Sequence, residues 1–242
     1  MFYFMLAPYM TYNVILIAAA VIPAVFLMGR VARLDRLEKE SPALLWRLVK
    51  AGVFAALLAM VEEWILGGIL DLAAEKETTA YRVILYFGVV ACAEESSKYL
   101  LMKRNSWASP EFNCQYDGVV YAVFVSLGFA LWENLSYVMS YGLQTALVRA
   151  VTAIPGHACF GVFMGVFYGM ARKHANQGRT SQSRICRILA FCVPAVLHGI
   201  YDYIATMESA SGTWYFIGFV AALFLISYVL VGRMAKRDRY IA

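Results

Sequence analysis

The sequence predicts an all-α bundle of about seven transmembrane helices, with its N-terminus outside and its C-terminus in the cytoplasm. Three observations predict this. Of 242 residues, 62% are hydrophobic and 15% charged, against about 45–50% and 25% in soluble domains. The surplus lies in long uncharged runs, each near the length that crosses ~30 Å of hydrocarbon at 1.5 Å per residue. The basic residues form short clusters between those runs, on alternate sides.

Taken in order, the runs are approximately 9–29, 49–70, 82–103, 117–140, 150–171, 186–206 and 213–232. No basic residue precedes the first, and Arg30, Arg33 and Arg36 follow it. A cleavable signal carries its basic residues in front, so this run is expected to remain as a helix. Segment 30–50 holds six Lys and Arg, 103–116 two, 172–187 five and the tail from Arg233 four. The alternate connections hold only Lys76, Arg82 and Arg149, which makes seventeen against three, with Lys98 inside a run. That asymmetry places the tail and the basic loops in the cytoplasm and calls for an odd number of spans. It also accounts for the net charge of +5 without nucleic acid as a partner; the partner is the lipid bilayer. The five cysteines (Cys92, Cys114, Cys159, Cys186, Cys192) include no CxxC pair, so neither a disulfide framework nor a cysteine zinc site is expected. No internal repeat is present, and the chain reads as one integral membrane domain, 1–242.

Inside these apolar runs stand groups that membranes exclude. An ionisable side chain at a helix centre costs at least ~2.5–3.5 kcal/mol on insertion scales. Glu62 and Glu63 lie in the second run, Glu94, Glu95 and Lys98 in the third, Glu133 in the fourth, His157 in the fifth, and His198 and Asp202 in the sixth. Stability offers no reason for such a set; groups of this kind face a bundle interior and mark a working site. Counted from the outer ends, Glu94 lies at ~18 Å, Glu133, His157 and His198 near ~10–13 Å and Asp202 at ~6 Å. Four helices thus bring carboxylates and imidazoles to the outer half of the membrane.

Local spacing adds roles. Glu94 and Lys98 are four apart and share a helix face, whereas Glu95 points about 100° away. A structural ion pair accounts for one glutamate and the lysine, not for the second glutamate. His198 and Asp202 are also four apart, so the aspartate can accept the imidazole N–H and set its tautomer. Pro194, one turn before His198, frees a backbone carbonyl. Pro155-Gly156 precedes His157 and is expected to open that span. Gly161, Gly165 and Gly169 form a small-residue stripe that holds His157 against a neighbouring helix. Asn134-Leu135-Ser136 matches a glycosylation acceptor but falls within a span. For Glu62 and Glu63, lining the site and facing another subunit or a wet crevice both stay open, with a structural or accessory role favoured.

Four features stand in order: Glu94-Glu95-x-x-Lys98, Phe129-x-x-x-Glu133-Asn134, His157-x-x-x-Gly161 and His198-x-x-x-Asp202. This ordered set, over about residues 80–205, resembles the PrsW family of bacterial membrane proteases. It is also similar to the wider superfamily that includes the eukaryotic CAAX prenyl endopeptidase, whose members tend to carry arginine where Lys98 stands and histidine where Glu133 stands. The resemblance implies a multi-pass protein of the bacterial plasma membrane. It implies cleavage of a membrane-anchored, single-span anti-sigma factor at a first site near the outer face. The family's paired glutamates map to Glu94 and Glu95, and its histidines to His157 and His198. Glu62-Glu63 lies outside the family pattern.

Peptide hydrolysis needs an activated water, stabilisation of the oxyanion and a proton for the leaving amine. In a glutamate mechanism Glu94 or Glu95 is the general base and His157 and His198 stabilise the oxyanion. In a metal mechanism His157, His198 and Glu94 hold one zinc ion that activates the water. Residues do not separate the two, and the metal-free version, with no cofactor, is preferred. No HExxH motif occurs. The rival from another class is a proton- or ion-coupled transporter using the same Glu/His/Asp relay, against which the lack of inverted repeats counts.

Overall fold

The computed structural model describes residues 2–76 and 78–241, with side chains from residue 13. Helices α1 (Phe2–Leu34) and α2 (Pro42–Ala73) are followed by an unbroken helical run made of α3 (Thr79–Val83), a π-helical segment (Ile84–Val90) and α4 (Ala91–Ser106). Then come α5 (Asp117–Tyr141), α6 (Leu143–Val151), α7 (Ala153–Asn176), α8 (Thr180–Ala205) and α9 (Ala210–Lys236). Their starts follow local chemistry. Ser41 caps α2 by accepting the Leu44 N–H (3.2 Å), ahead of Pro42 at the first helical position. Thr78 and Ser209 cap α3 and α9 in the same way.

Among the described residues, six stretches are long and apolar enough to cross a membrane: Asn13–Leu34, Pro42–Ala73, Asp117–Tyr141, Leu143–Asn176, Thr180–Ala205 and Ala210–Lys236. The seventh expected span falls on Thr79–Ser106, which is helical throughout but carries Glu94, Glu95 and Lys98. The charges remove it from the apolar class. The fold is an all-α polytopic bundle.

Helix α5 is the hub, wrapped by α1, α2 and α7, with Val119, Val120, Tyr121, Ala122, Val123 and Val125 all removed from solvent. The wraps depend on glycine. A Cβ on Gly52 of α2 would lie 2.7 Å from the Phe129 nitrogen of α5, and one on Gly118 of α5 2.6 Å from the Gly169 nitrogen of α7. Gly161 faces Ser126 and Ala122 at 2.9–3.0 Å, and Gly165 packs on the Gly118–Val119 backbone. The expected small-residue stripe of α7 therefore lies against α5. Outward faces of α1, α2 and α9 carry Phe26, Trp64, Trp214 and Tyr228, all largely exposed, which suits contact with lipid.

The connections with the basic clusters meet at one end. Ser41 N–H donates to Glu111 (2.8 Å), Asn113 to Glu38 (2.9 Å) and Tyr116 N–H to Asp238 (2.8 Å). The tail pairs back through Gln115 N–H to Arg239 O (3.2 Å) and Ile241 N–H to Asn113 O (2.7 Å). Removal from water pushes the Glu40 carboxyl at this end up to about 8, with nearby Asp117 adding to the effect. Burial pushes Asp35 up to about 6 against the pull of Lys39. At the other end Arg82 donates to Thr206 (3.0 Å).

The opening expected near Pro155 lies one turn earlier: the fifth span is interrupted at Thr152, between α6 and α7, and Pro155 sits in the first turn of α7, where its missing N–H has no helical partner to lose.

Candidate active site

The polar residues of five helices converge around a cavity of about 550 Å³ near the end opposite the basic loops. Glu63 from α2, Glu94 from α4, Glu133 from α5, His157 from α7, and His198 and Asp202 from α8 all line it. Glu95 and Lys98 stand behind this surface, both at 0% exposure.

Lys98 organises the cluster. Its ammonium donates to Glu94 Oε2 (2.9 Å), Glu95 Oε1 (2.8 Å) and His157 Nδ1 (3.2 Å). It also lies 3.9 Å from the centre of the Phe129 ring. An ammonium has three donors and no acceptor, so these three partners exhaust it. The expectation that Lys98 serves Glu94 while Glu95 points away is corrected. At i+3 and i+4 spacing one long side chain reaches both carboxylates.

The histidine geometry follows from this. Because Lys98 can only donate, His157 Nδ1 must accept, and the ring carries its proton on Nε2, which donates to Glu133 Oε2 at 2.7 Å. His198 presents Nδ1 to Glu95 Oε1 at 3.0 Å and Nε2 to Asp202 Oδ2 at 3.4 Å. The Asp202 contact is thus an ion-pair approach longer than a good hydrogen bond. The two rings stand 5.5 Å apart edge to face, and Phe160 stacks on His198 at 4.7 Å.

Arg149 has no role in the sequence reading beyond a lone basic residue on the weakly charged side. The structure turns it inward from α6. Its guanidinium stands 2.9 Å from Glu133 Oε2, its Nε donates to Asn134 Oδ1 (2.9 Å), and it lies 4.0 Å over the Tyr137 ring. Asn134 is fully buried. The sequence signal for Arg149 is faint: one cation at an apolar helix end, 16 positions after Glu133. Glu62 and Glu63 divide. Glu63 enters the cavity, while Glu62 accepts from Ser97 Oγ (3.3 Å) and borders a separate cavity with Lys103 and Arg187.

Backbone devices support the site. The π-helical segment just precedes α4 and presses Phe87 onto Gly199, where a Cβ would come within 2.5 Å of the ring. Single π turns inside helices concentrate at functional sites. Pro194 lies within α8 one turn before His198.

For a metal, the trio whose donor atoms lie within 4.8 Å of one another is Glu94, Glu95 and His198. His157 is outside it, and its two nitrogens meet Lys98 and Glu133. Glu95 Oε2 is buried without a hydrogen-bond partner, so donor type, spacing and an orphaned oxygen fit a cation there.

A membrane-embedded helical bundle that gathers carboxylates and imidazoles around a buried cavity has the architecture of a polytopic intramembrane protease. Comparison with known proteins agrees. The model of a family described as PrsW family intramembrane metalloprotease matches residues 40–231. Protease PrsW of Bacillus subtilis strain 168 is 31% identical over 93% of this chain and 95% of its own. Protease PrsW of Geobacillus kaustophilus is 33% identical over 86% and 87%, and that of Oceanobacillus iheyensis 31% over 78% and 82%. No solved structure is a significant match. The chain belongs to the PrsW family and is a multi-pass bacterial membrane protease. The transporter reading gives way to that membership.

Proposed function

We propose that this protease cuts a single-span membrane protein, by resemblance an anti-sigma factor, at a site near the outer face, using Glu94 as general base. The observation that carries the reading is the division between the paired glutamates: Glu94 borders the cavity, and Glu95 is sealed behind it. A water in the cavity then meets Glu94, which accepts its proton as the oxygen attacks the peptide carbonyl. Glu95 holds His198 through Nδ1, so that Nε2, only loosely held by Asp202, meets developing negative charge in fixed orientation, while Lys98 and Glu133 lock His157 as the side chain that positions Glu133. Protonated Glu94 returns the proton to the leaving amine. The basic-loop asymmetry supports an outer location for the cavity.

A second reading has one observation in its favour, the orphaned Glu95 Oε2. There Glu94, Glu95 and His198 would hold a metal ion, which supplies Lewis acidity and an activated water. The ammonium of Lys98, already within 2.9 Å of both carboxylates, favours the metal-free form, because it provides the compensating charge.

The test is cleavage of a single-span peptide by purified enzyme in detergent, before and after exhaustive chelation. Glu94→Gln should lower kcat by at least ~10²-fold, as expected for loss of a general base, with helix content unchanged. Near-normal cleavage by that variant would remove Glu94 from its role. Loss of activity with chelator and recovery with zinc would select the second reading.

A further inference from the structure

On the basic-loop end, away from the active site, a second group of acids has no assigned purpose. Asp35 follows α1, Glu40 precedes α2 and Asp117 opens α5. Each offers a carboxylate oxygen within 4.8 Å of the other two. Most of the surrounding polar atoms are satisfied. Asp117 Oδ2 accepts the N–H groups of Asn113 (3.0 Å) and Cys114 (2.6 Å), and Glu40 Oε2 accepts the Tyr121 hydroxyl (2.9 Å). The amine of Lys39 is directed at the backbone carbonyls of Ala32 (2.8 Å) and Asp35, where it caps α1.

Asp35 is the exception. It is 2% exposed, yet its Oδ1 has no hydrogen-bond partner. Beside it Asp238 Oδ2 and Asn113 Oδ1 are also buried and unpartnered. Every orphan here is an acceptor, so what the pocket lacks is positive charge. A buried carboxylate left without a partner is costly, and such groups pair or coordinate metals.

We propose that Asp35, Glu40 and Asp117 hold one hard divalent cation, of the Ca²⁺ or Mg²⁺ class, which ties the end of α1 to the starts of α2 and α5. An all-oxygen donor set selects such ions over soft ones. Three oxygens that lie within 4.8 Å of one another can all reach one ion at the ~2.3–2.6 Å of a Ca²⁺–oxygen bond, and with closer approach and retained water at the ~2.0–2.1 Å of Mg²⁺. Bound there, the ion would join three helices whose loops otherwise repel through their carboxylates. The C-terminal tail, which pairs with residues 113–116, would be secured as well.

The experiment is thermal unfolding of the full chain in detergent after chelation, with millimolar CaCl₂, MgCl₂ or NaCl of matched ionic strength. One divalent salt should raise Tm by about 3–5 °C above the NaCl control, and calorimetry should find one site. Asp35→Asn should abolish the increment, and Glu40→Gln should weaken binding at least ~10-fold. Asp71→Asn, which touches Lys76 at the opposite end, should respond as the parent does. If neither divalent cation exceeds NaCl, or if the increment survives in both Asp35→Asn and Glu40→Gln, the site does not exist. Glu40→Gln keeps the test open should Asp35→Asn fail to fold.

Discussion

Lys98 shows how a residue forbidden by its surroundings becomes useful to them. With no water at 0% exposure, its three donors are satisfied only because two glutamates and an imidazole come from the same and a neighbouring helix. The Glu94-Glu95-x-x-Lys98 spacing announces the first two partners, since i+3 and i+4 side chains meet on a helix. It says nothing of His157, which is 59 positions away. Arg149 is the sharper case. It borders the cavity and holds Glu133 as Lys98 holds Glu94, so Arg149→Met should leave Glu133 free to drift from His157. We expect kcat on a single-span peptide to fall by about 10–100-fold with KM little changed, as for loss of other orienting partners. Arg149→Lys should restore part of the loss. An unchanged kcat in Arg149→Met would detach the guanidinium from the site.

Among the elements, α5 and α7 set the geometry, and small residues set how closely they approach. Gly118, Gly161 and Gly165 let two backbones touch, which brings Glu133 and His157 within 2.7 Å. Without a hydrophobic driving force between helices in lipid, such van der Waals contact is a main source of association. Gly165→Ala puts a methyl into the Gly118–Val119 backbone, and no flexible side chain is available to yield. Its Tm in detergent should fall by several degrees, in the range of core overpacking at about 1–3 kcal/mol. Gly218→Ala on α9, where nothing lies within 4 Å, should be neutral or slightly stabilising through helix propensity. Equal melting of the two variants would mean that the α5–α7 contact is not tight. The stripe on α7 was legible as a repeat of four; its partner helix was not, because a repeat names a face and not what covers it.

The whole molecule is a membrane object whose two ends differ in charge, and that difference predicts its orientation. A tag within 172–187 should be inaccessible to an impermeant reagent applied to intact cells, and one within 207–212 should be labelled. Labelling of 172–187 from outside would reverse the bundle and put the cavity on the cytoplasmic side. Span number, span position and the polar residues within spans all follow from the sequence alone, because hydrophobicity and charge act locally along a chain and the bilayer converts run length into structure. Tertiary structure alone decided which side of each helix those residues face. It separated Glu63 from Glu62 and Glu94 from Glu95, turned Arg149 inward, and brought Asp35 to Asp117 at the opposite end. Adjacent residues on a helix diverge by about 100°, and which of them meets a cavity depends on the rotation at which helices distant in sequence lock together, a rotation fixed by packing between chain segments that no local pattern contains.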